Sequence, residues 1–272
     1  KYDNKKAFYE MKHYELPTIR RLILSGQMDS EEIVEWSDKI TRFSMSMYAH
    51  EKLDITNQEY FDVLHWGRFD NRIEELASKS EWFKQTLSKE DISINGKAYK
   101  NLPVLYKRIR AKQDWFNPEF VGRWSHSDLH FSNILIDKDN NDFRLIDPRG
   151  YDFCDYYYDF GKLWHSVNSK YELIASRMFK VSDIDDGHWF SLEQGKPYFA
   201  LENSKHKVMD IFADVSNETR DEVEMKTEFN DVMHFATLIP FLLAFDSKEE
   251  KARTAYYQSV ILMNDFCKKY GV

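Results

Sequence analysis

Three polar residues near the middle of the chain have the types and the spacing that phosphoryl transfer requires. Asp128 follows His126 after one residue, and Asn133 follows Asp128 after four, which is the order used by catalytic loops that transfer phosphoryl groups. Asp147 ends the next apolar stretch. A carboxylate can accept the proton of a hydroxyl, and amide and carboxylate oxygens are ligands that Mg²⁺ prefers. The spacing therefore predicts Asp128 as a catalytic base and Asn133 and Asp147 as metal ligands.

A short β-hairpin is predicted to position these three residues. Residues 134–136 and 143–146 are apolar and β-prone, and the turn formers of residues 137–141 separate them. Residues 123–126 form a further strand candidate ahead of the loop. We therefore expect Asp128, Asn133 and Asp147 to lie around one hairpin.

Most of the remaining chain has apolar residues at helical spacing. Asp29 is a candidate N-cap, Gly67 and Ser80 are expected to interrupt the second helical region, and Pro240 is expected to kink the helix that contains it. One predicted helix starts after Asp29. Further helices are predicted at residues 58–87, 102–115, 221–245 and 248–270. Residues 7–14 are predicted to be a strand and residues 93–97 a tight hairpin turn. The fold class expected is α+β and mostly α, with a small central β region.

The composition excludes several classes of protein. The chain has 272 residues, 38 Lys and Arg against 46 Asp and Glu, and a formal net charge of −8, which disfavours a nucleic-acid partner. Twenty Phe, 16 Tyr and 7 Trp need a buried core, so the chain is not a disordered acidic segment. Two cysteines cannot build a disulfide framework, and the longest apolar run, residues 235–245, is too short to span a membrane. We expect a cytoplasmic protein with no membrane span.

The sequence H-S-D-L-H-F-S-N-I-L, followed by L-I-D and by D-Y-Y-Y-D-F-G-K-L, resembles the C-terminal lobe of the aminoglycoside phosphotransferase and choline kinase superfamily. These are small-molecule kinases with a protein-kinase-like fold. The resemblance implies that Asp128 is the catalytic base, that Asn133 and Asp147 bind Mg²⁺, and that His126 and Asp159 support the catalytic loop. It also implies ATP and Mg²⁺ as cofactors and a small-molecule acceptor.

The start of the chain resembles the hinge strand that joins the two lobes in this superfamily. The resemblance implies that Lys12, His13 and Tyr14 meet the nucleotide. Residues 1–16 are then the hinge strand, and residues 17–272 are the helical C-lobe, with the catalytic and metal-binding loops in residues 123–166. None of the nine glycines forms G-x-G, so we expect the N-lobe to be largely absent from this chain. An upstream nucleotidyltransferase-like domain in the same polypeptide is a further hypothesis.

The acceptor is predicted only as a class: an amino alcohol such as choline, a sugar, or an aminoglycoside-like molecule. Tyr151 and Asp155 are candidates for the acceptor pocket. The aromatic residues between 151 and 164 are interpreted as helix core, with a cation-binding aromatic cage as the alternative. Arg149, in the sequence D-P-R-G, is placed to reach a phosphate or an acidic neighbour.

A second class of function is a non-catalytic, kinase-like module that binds a ligand or a partner. His126, Asp128 and His130 also spell H-x-D-x-H, but no second cluster of metal ligands follows to support a metallohydrolase. The basic residues 107–112 are interpreted as a solvated helix face, and Cys154 as a small buried residue. Further aromatic residues are predicted to be core: Trp36, Phe43, Phe61, Trp66 and Phe69.

Overall fold

The computed structural model describes residues 2–3, 6–7, 13–48, 50–184 and 187–272. This part of the chain is α+β and mostly α, as predicted. Its α-helices are α1 (Ile19–Leu24), α2 (Ser30–Tyr48), α3 (Asn57–Phe61), α4 (Gly67–Lys79), α5 (Glu81–Leu87), α6 (Leu102–Arg110), α7 (Tyr156–Val167), α8 (Tyr171–Ala175), α9 (Lys196–Ser216), α10 (Arg220–Ala244) and α11 (Glu250–Tyr270). Its strands are β1 (Tyr2–Asp3), β2 (Lys6–Ala7), β3 (Asp91–Ile94), β4 (Lys97–Lys100), β5 (Ile134–Asp137), β6 (Asp142–Leu145), β7 (Phe179–Ile184) and β8 (Gly187–Leu192).

Capping side chains set several helix boundaries where the sequence predicts them. An Asp29 oxygen accepts a hydrogen bond from the backbone N–H of Glu32 at 2.9 Å, so α2 begins directly after its cap. Ser80 caps α5 in the same way. A π-helical turn, Asp62–Trp66, lies directly before Gly67. The interruptions predicted at Gly67 and Ser80 are therefore confirmed.

The predicted central hairpin is present as β5 and β6. The two strands are antiparallel, with Ile134 opposite Leu145. The backbone N–H of Ile136 also donates to the carbonyl of Pro17 at 2.9 Å, so the segment that enters α1 lies along β5. This arrangement fixes the hairpin against the helical part of the molecule.

The strand predicted at residues 123–126 is wrong. Only Gly122, just before it, makes β-bridges, with Lys52 on one side and Cys154 on the other. The next residues find no strand partner: Trp124 is 57% exposed, and the N–H of His126 donates to a side chain instead.

A four-stranded sheet, with the strand order β4-β3-β8-β7, is separate from the central hairpin of β5 and β6. The predicted turn between β3 and β4 is confirmed: Asn95 and Gly96 both have positive φ, 52° and 76°. The hairpin of β7 and β8 was not predicted, because most of the chain outside the central hairpin was expected to be helical. Its strand β8 pairs in parallel with β3, and that pairing joins segments far apart in sequence.

The core is centred on α7, all of whose residues are buried. Gly161 lets α7 approach α10 closely, since a Cβ at this position would lie 2.4 Å from the Cβ of Asn230. Four of the five aromatic residues predicted as core are buried, but Phe43 is 46% exposed and packs edge-on against Phe143 at the surface. Helical spacing alone did not separate the buried face of α2 from its edge.

The predictions for the basic residues of α6 and for Cys154 agree with the structure. Within α6, Lys107, Arg108 and Arg110 are exposed, as expected for a solvated helix face. Cys154 and Cys267 are both buried free thiols. Across the described residues, no helix has both the length and the apolar character needed to cross a bilayer.

Candidate active site

His126 joins the loop that carries Asp128 to the strand end that carries Asp147. Its Nε2 lies 2.9 Å from the carbonyl oxygen of Ile146, and its Nδ1 lies 3.3 Å from the backbone nitrogen of Asp128. Both contacts are satisfied when Nε2–H donates to the carbonyl and Nδ1 accepts from the amide. His126 is therefore a positioning residue that holds the two loops in register.

Asp159, on α7, is hydrogen-bonded to the same loop. Its Oδ2 accepts a hydrogen bond from the backbone N–H of His126 at 3.1 Å and another from the hydroxyl of Tyr48 at 2.8 Å. Burial raises the pKa of this carboxyl above its usual range, against the opposing effect of these donors. The contact that the sequence predicts between Asp159 and the loop is present.

Asn133 is tied to both loops by hydrogen bonds. Its side-chain Nδ2 donates to the backbone carbonyl of Asp128 at 2.9 Å. Its backbone carbonyl accepts from the N–H of Ile146 at 3.0 Å. Because the amide nitrogen is engaged, the side-chain oxygen Oδ1 is the atom left to act as a ligand.

Two non-glycine residues in these loops have left-handed backbone conformations. Ser127, directly before Asp128, has φ of 61°, and Asp147 has φ of 56°. Such conformations cost on the order of 1–3 kcal/mol and cluster at functional sites. The Asp147 side chain is exposed and has no hydrogen-bond or ion-pair partner among the residues that the structure describes. Its two oxygens are therefore free to bind a ligand.

Asp128 and Asp147 line the same open cavity, whose volume is about 440 Å³. Loop residues, α7, α8, α4 and the end of α10 all contribute to its wall. The lining residues are Arg68, Asp128, His130, Asp147, Pro148, Arg149, Lys162, His165, Tyr171, Leu238, Phe241 and Leu242. A cavity of this size suits a small molecule.

Two cations hold the Asp128 carboxylate. Oδ1 lies 2.9 Å from Nζ of Lys162, and Oδ2 lies 3.3 Å from a guanidinium nitrogen of Arg149. Burial alone would raise the pKa of Asp128, but Lys162, followed by His130 and Arg149, lowers it well below its usual range. Burial also lowers the pKa of Lys162 to about 8, although Asp128 opposes this shift. Asp128 is thus ionised at neutral pH and accepts hydrogen bonds only.

A buried glutamate anchors the turn between Asp128 and Asn133. One Glu172 oxygen accepts from the hydroxyl of Ser132 at 2.8 Å, and the other accepts from that of Ser166 at 3.1 Å. The same Ser166 oxygen accepts from the backbone N–H of Phe131 at 3.1 Å. These hydrogen bonds fix the 3₁₀ turn that places Asn133.

Other residues predicted for the site lie elsewhere. Lys12 is outside the described residues, His13 is exposed, and Tyr14 is half-buried with its ring 5.7 Å from the guanidinium of Arg144. Tyr151 lines a neighbouring groove rather than the main cavity. Asp155 is fully buried and caps α7 by accepting from the N–H of Tyr158, so it does not line the cavity.

The aromatic residues that follow Gly150 form core, as interpreted from the sequence, and not an open cage. Tyr156, Tyr157, Tyr158 and Trp164 are all buried. Phe160 of the same helix stacks against Phe212 of α9 at 4.6 Å. Packing inside the molecule uses the ring faces that a cationic ligand would need.

Sequence reasoning missed Lys162 and Arg68. Lys162 did carry a signal, since it is the one lysine in α7, a helix made mostly of aromatic and apolar residues. Nothing near Arg68 marks it, because its place in the cavity depends on how α4 packs against α7 and α10.

Comparisons with other proteins give a distant structural match. No protein-family model matches the sequence, and a search of curated proteins finds no match. Among solved structures, the chain is similar to choline kinase from Cryptosporidium parvum Iowa II, with a TM-score of 0.49 and 14% sequence identity. The match covers 96% of this chain and 71% of that chain.

Proposed function

We propose that the protein is an ATP-dependent phosphotransferase that moves the γ-phosphoryl group of ATP to a hydroxyl of a small molecule. The observation that carries the proposal is that Asp128 and Asp147 line one cavity, while Asn133 is hydrogen-bonded to the loops of both. The pattern H-x-D-x-x-x-x-N supports the roles of Asp128 and Asn133.

The donor atoms at this site fit Mg²⁺. Mg²⁺ is usually bound through one or two carboxylates together with phosphates of the substrate and water. The Asp147 carboxylate, which has no partner within the described part of the chain, and the Oδ1 atom of Asn133 are hard oxygen ligands of this kind. Asn133 and Asp147 would hold the ion, which supplies positive charge next to the phosphates when it is bound.

Asp128 acts on the acceptor hydroxyl. Because it is ionised, its carboxylate accepts a hydrogen bond from the hydroxyl, orients the oxygen toward the phosphorus and takes up the proton as the new bond forms. Positioning supplies much of the acceleration in phosphoryl transfer, so the restraints on the loop matter. His126, Asp159 and Glu172 provide them through hydrogen bonds.

Lys162 and Arg149 fix the orientation of Asp128. Each cation holds one oxygen of the carboxylate, which restricts rotation of the side chain. Both cations also line the cavity and present positive charge to a phosphate that enters it. The roles of Lys12, His13 and Tyr14 at the nucleotide stay predictions.

The Asp128→Asn variant tests the assignment of the base. We expect phosphoryl transfer from Mg–ATP, followed as ADP formation with a panel of small alcohols, to fall by about 10²–10⁴-fold. Asp139→Asn is a matched control, since Asp139 is exposed in the β5–β6 turn and makes the same change of charge. Both variants are best made in the full natural polypeptide. Turnover of Asp128→Asn within a few-fold of the unmodified protein would show that Asp128 is not the base.

Calorimetric titration with Mg–ATP separates the enzyme from a non-catalytic binding module. An enzyme of this kind binds Mg–ATP, and Asp147→Asn weakens the binding. Absence of any heat of binding in the full natural polypeptide would favour the module.

A further inference from the structure

The wall of the cavity carries more positive than negative charge. Arg68, Arg149 and Lys162 line it, against the two carboxylates Asp128 and Asp147. Asp128 is shared between Lys162 and Arg149. Asp147 pairs with no cation among the described residues. Of the three cations, Arg68 alone has no carboxylate in direct contact among the described residues.

Arg68 has no carboxylate within ion-pair distance in the described part of the chain. Its guanidinium donates one hydrogen bond to the hydroxyl of Tyr158, and its other N–H groups have no acceptor among the residues that the structure describes. A guanidinium presents these groups as a planar fork that matches carboxylate and phosphate oxygens. Arg68 also lines the neighbouring groove that contains Tyr151, so it stands between the cavity and that groove.

Two buried histidines near Arg68 add no positive charge to its surroundings. Burial, followed by the charge of Arg68, lowers the pKa of His65 to about 3. Burial, followed by Lys162 and then Arg68, lowers the pKa of His234 well below its usual range. Both imidazoles are neutral at physiological pH, so neither adds to the charge.

We propose that the acceptor carries an oxyanion group, a carboxylate or a phosphate, which Arg68 binds while the acceptor hydroxyl faces Asp128. The proposal rests on the function proposed above and names its class of substrate. It excludes a simple cationic acceptor such as choline for this site.

The aromatic rings that line the cavity already contact other side chains of the protein. The guanidinium of Arg72 lies 4.2 Å from the ring centroid of Phe241, and that of Arg149 lies 5.6 Å from it. The ring of Tyr171 packs against His165, with a centroid distance of 4.8 Å. A quaternary ammonium group would have to displace cations to reach the Phe241 ring.

Binding of small ions tests the proposal independently of ATP. The full natural polypeptide is titrated by calorimetry with inorganic phosphate, with acetate and with tetramethylammonium chloride, at constant ionic strength. We expect phosphate or acetate to bind, and the arm that binds more tightly identifies the oxyanion. Arg68→Gln is expected to raise that Kd at least tenfold, whereas Arg42→Gln leaves it unchanged. Arg42 is the matched control because it is exposed on α2 and pairs with Asp38 and Asp214.

Arg68→Lys keeps the test decisive if Arg68→Gln does not fold. It retains the charge but loses the fork, so we expect a Kd between those of the unmodified protein and of an uncharged variant. Failure of both anions to bind, an unchanged Kd in the folded Arg68 variants, or tighter binding of tetramethylammonium overturns the proposal. Asp128→Asn should still bind the anion while transfer is lost. Anion binding at Arg68 without any Mg–ATP turnover would mean that the proposed function is wrong, and cation binding with turnover would mean that only the acceptor class is wrong.

Discussion

Asp155 is a buried carboxylate at the N-terminus of α7, and we expect Asp155→Asn to change how stability depends on pH. Burial raises the pKa of Asp155 from 3.8 to about 7, against hydrogen bonds from the N–H of Tyr158 and the hydroxyl of Tyr60. Between those two pH values the folded protein binds a proton that the unfolded chain has already lost. The free energy of unfolding must therefore fall as pH rises through this window.

The size of the effect follows from the shift of the pKa. One unit corresponds to about 1.4 kcal/mol, so a rise to about 7 gives an upper bound of roughly 4 kcal/mol for the stability lost between pH 4 and pH 8. No large correction for solvent is needed, because Asp155 is only 2% exposed. Asn keeps an oxygen for the N–H of Tyr158 and cannot ionise, so Asp155→Asn should remove this loss while it preserves the cap.

Urea unfolding followed by circular dichroism at pH 5, 6, 7 and 8 measures the effect. We expect Asp155→Asn to gain stability relative to the unmodified protein as pH rises, with most of the gain between pH 5 and pH 7 and little above pH 7. Asp152→Asn is the control, since Asp152 is exposed three residues earlier and makes the same change of charge. Parallel curves for the unmodified protein and Asp155→Asn across this range would refute the reasoning.

Two further variants test the packing that supports the site, both by urea unfolding. Gly161→Ala should lower the free energy of unfolding by about 1–3 kcal/mol or more, because the Cβ of the new alanine would lie 2.4 Å from the Cβ of Asn230. A neutral effect would mean that α7 and α10 are farther apart. Tyr48→Phe should lower the free energy of unfolding by about 1–3 kcal/mol, because buried Asp159 loses a hydrogen-bond donor at 2.8 Å. A decrease below about 0.5 kcal/mol, of the order seen at ordinary surface positions, would contradict that hydrogen bond.

Local features of the sequence were enough to predict the hairpin around which the candidate site residues lie. The turn formers of residues 137–141 specify the β5–β6 hairpin, because they favour a tight reversal whatever surrounds them. His126, Asp128 and Asn133 are close in sequence, so they share one loop whatever surrounds them. Caps such as Asp29 act within one helical turn, so the start of α2 could also be read from the sequence.

The partners of these residues were decided by tertiary packing. Glu172 reaches Ser132 only because α8 lies beside the loop, and β8 is a strand beside β3 only because distant segments meet. Phe43 fits a helical pattern of core residues yet lies at the surface. Burial depends on which element covers a face, and periodicity along one helix does not contain that information.

The sequence by itself determined the type and the order of the chemical groups: a carboxylate, an amide and a second carboxylate around one hairpin. The tertiary structure decided their electrostatic setting, by placing Lys162 and Arg149 on Asp128 and by bringing Arg68 of α4 to the same cavity without an acidic partner among the described residues. A charge acts through space on whatever lies within a few ångströms of it. The charge balance of a cavity is therefore set by segments that meet only when the chain has folded.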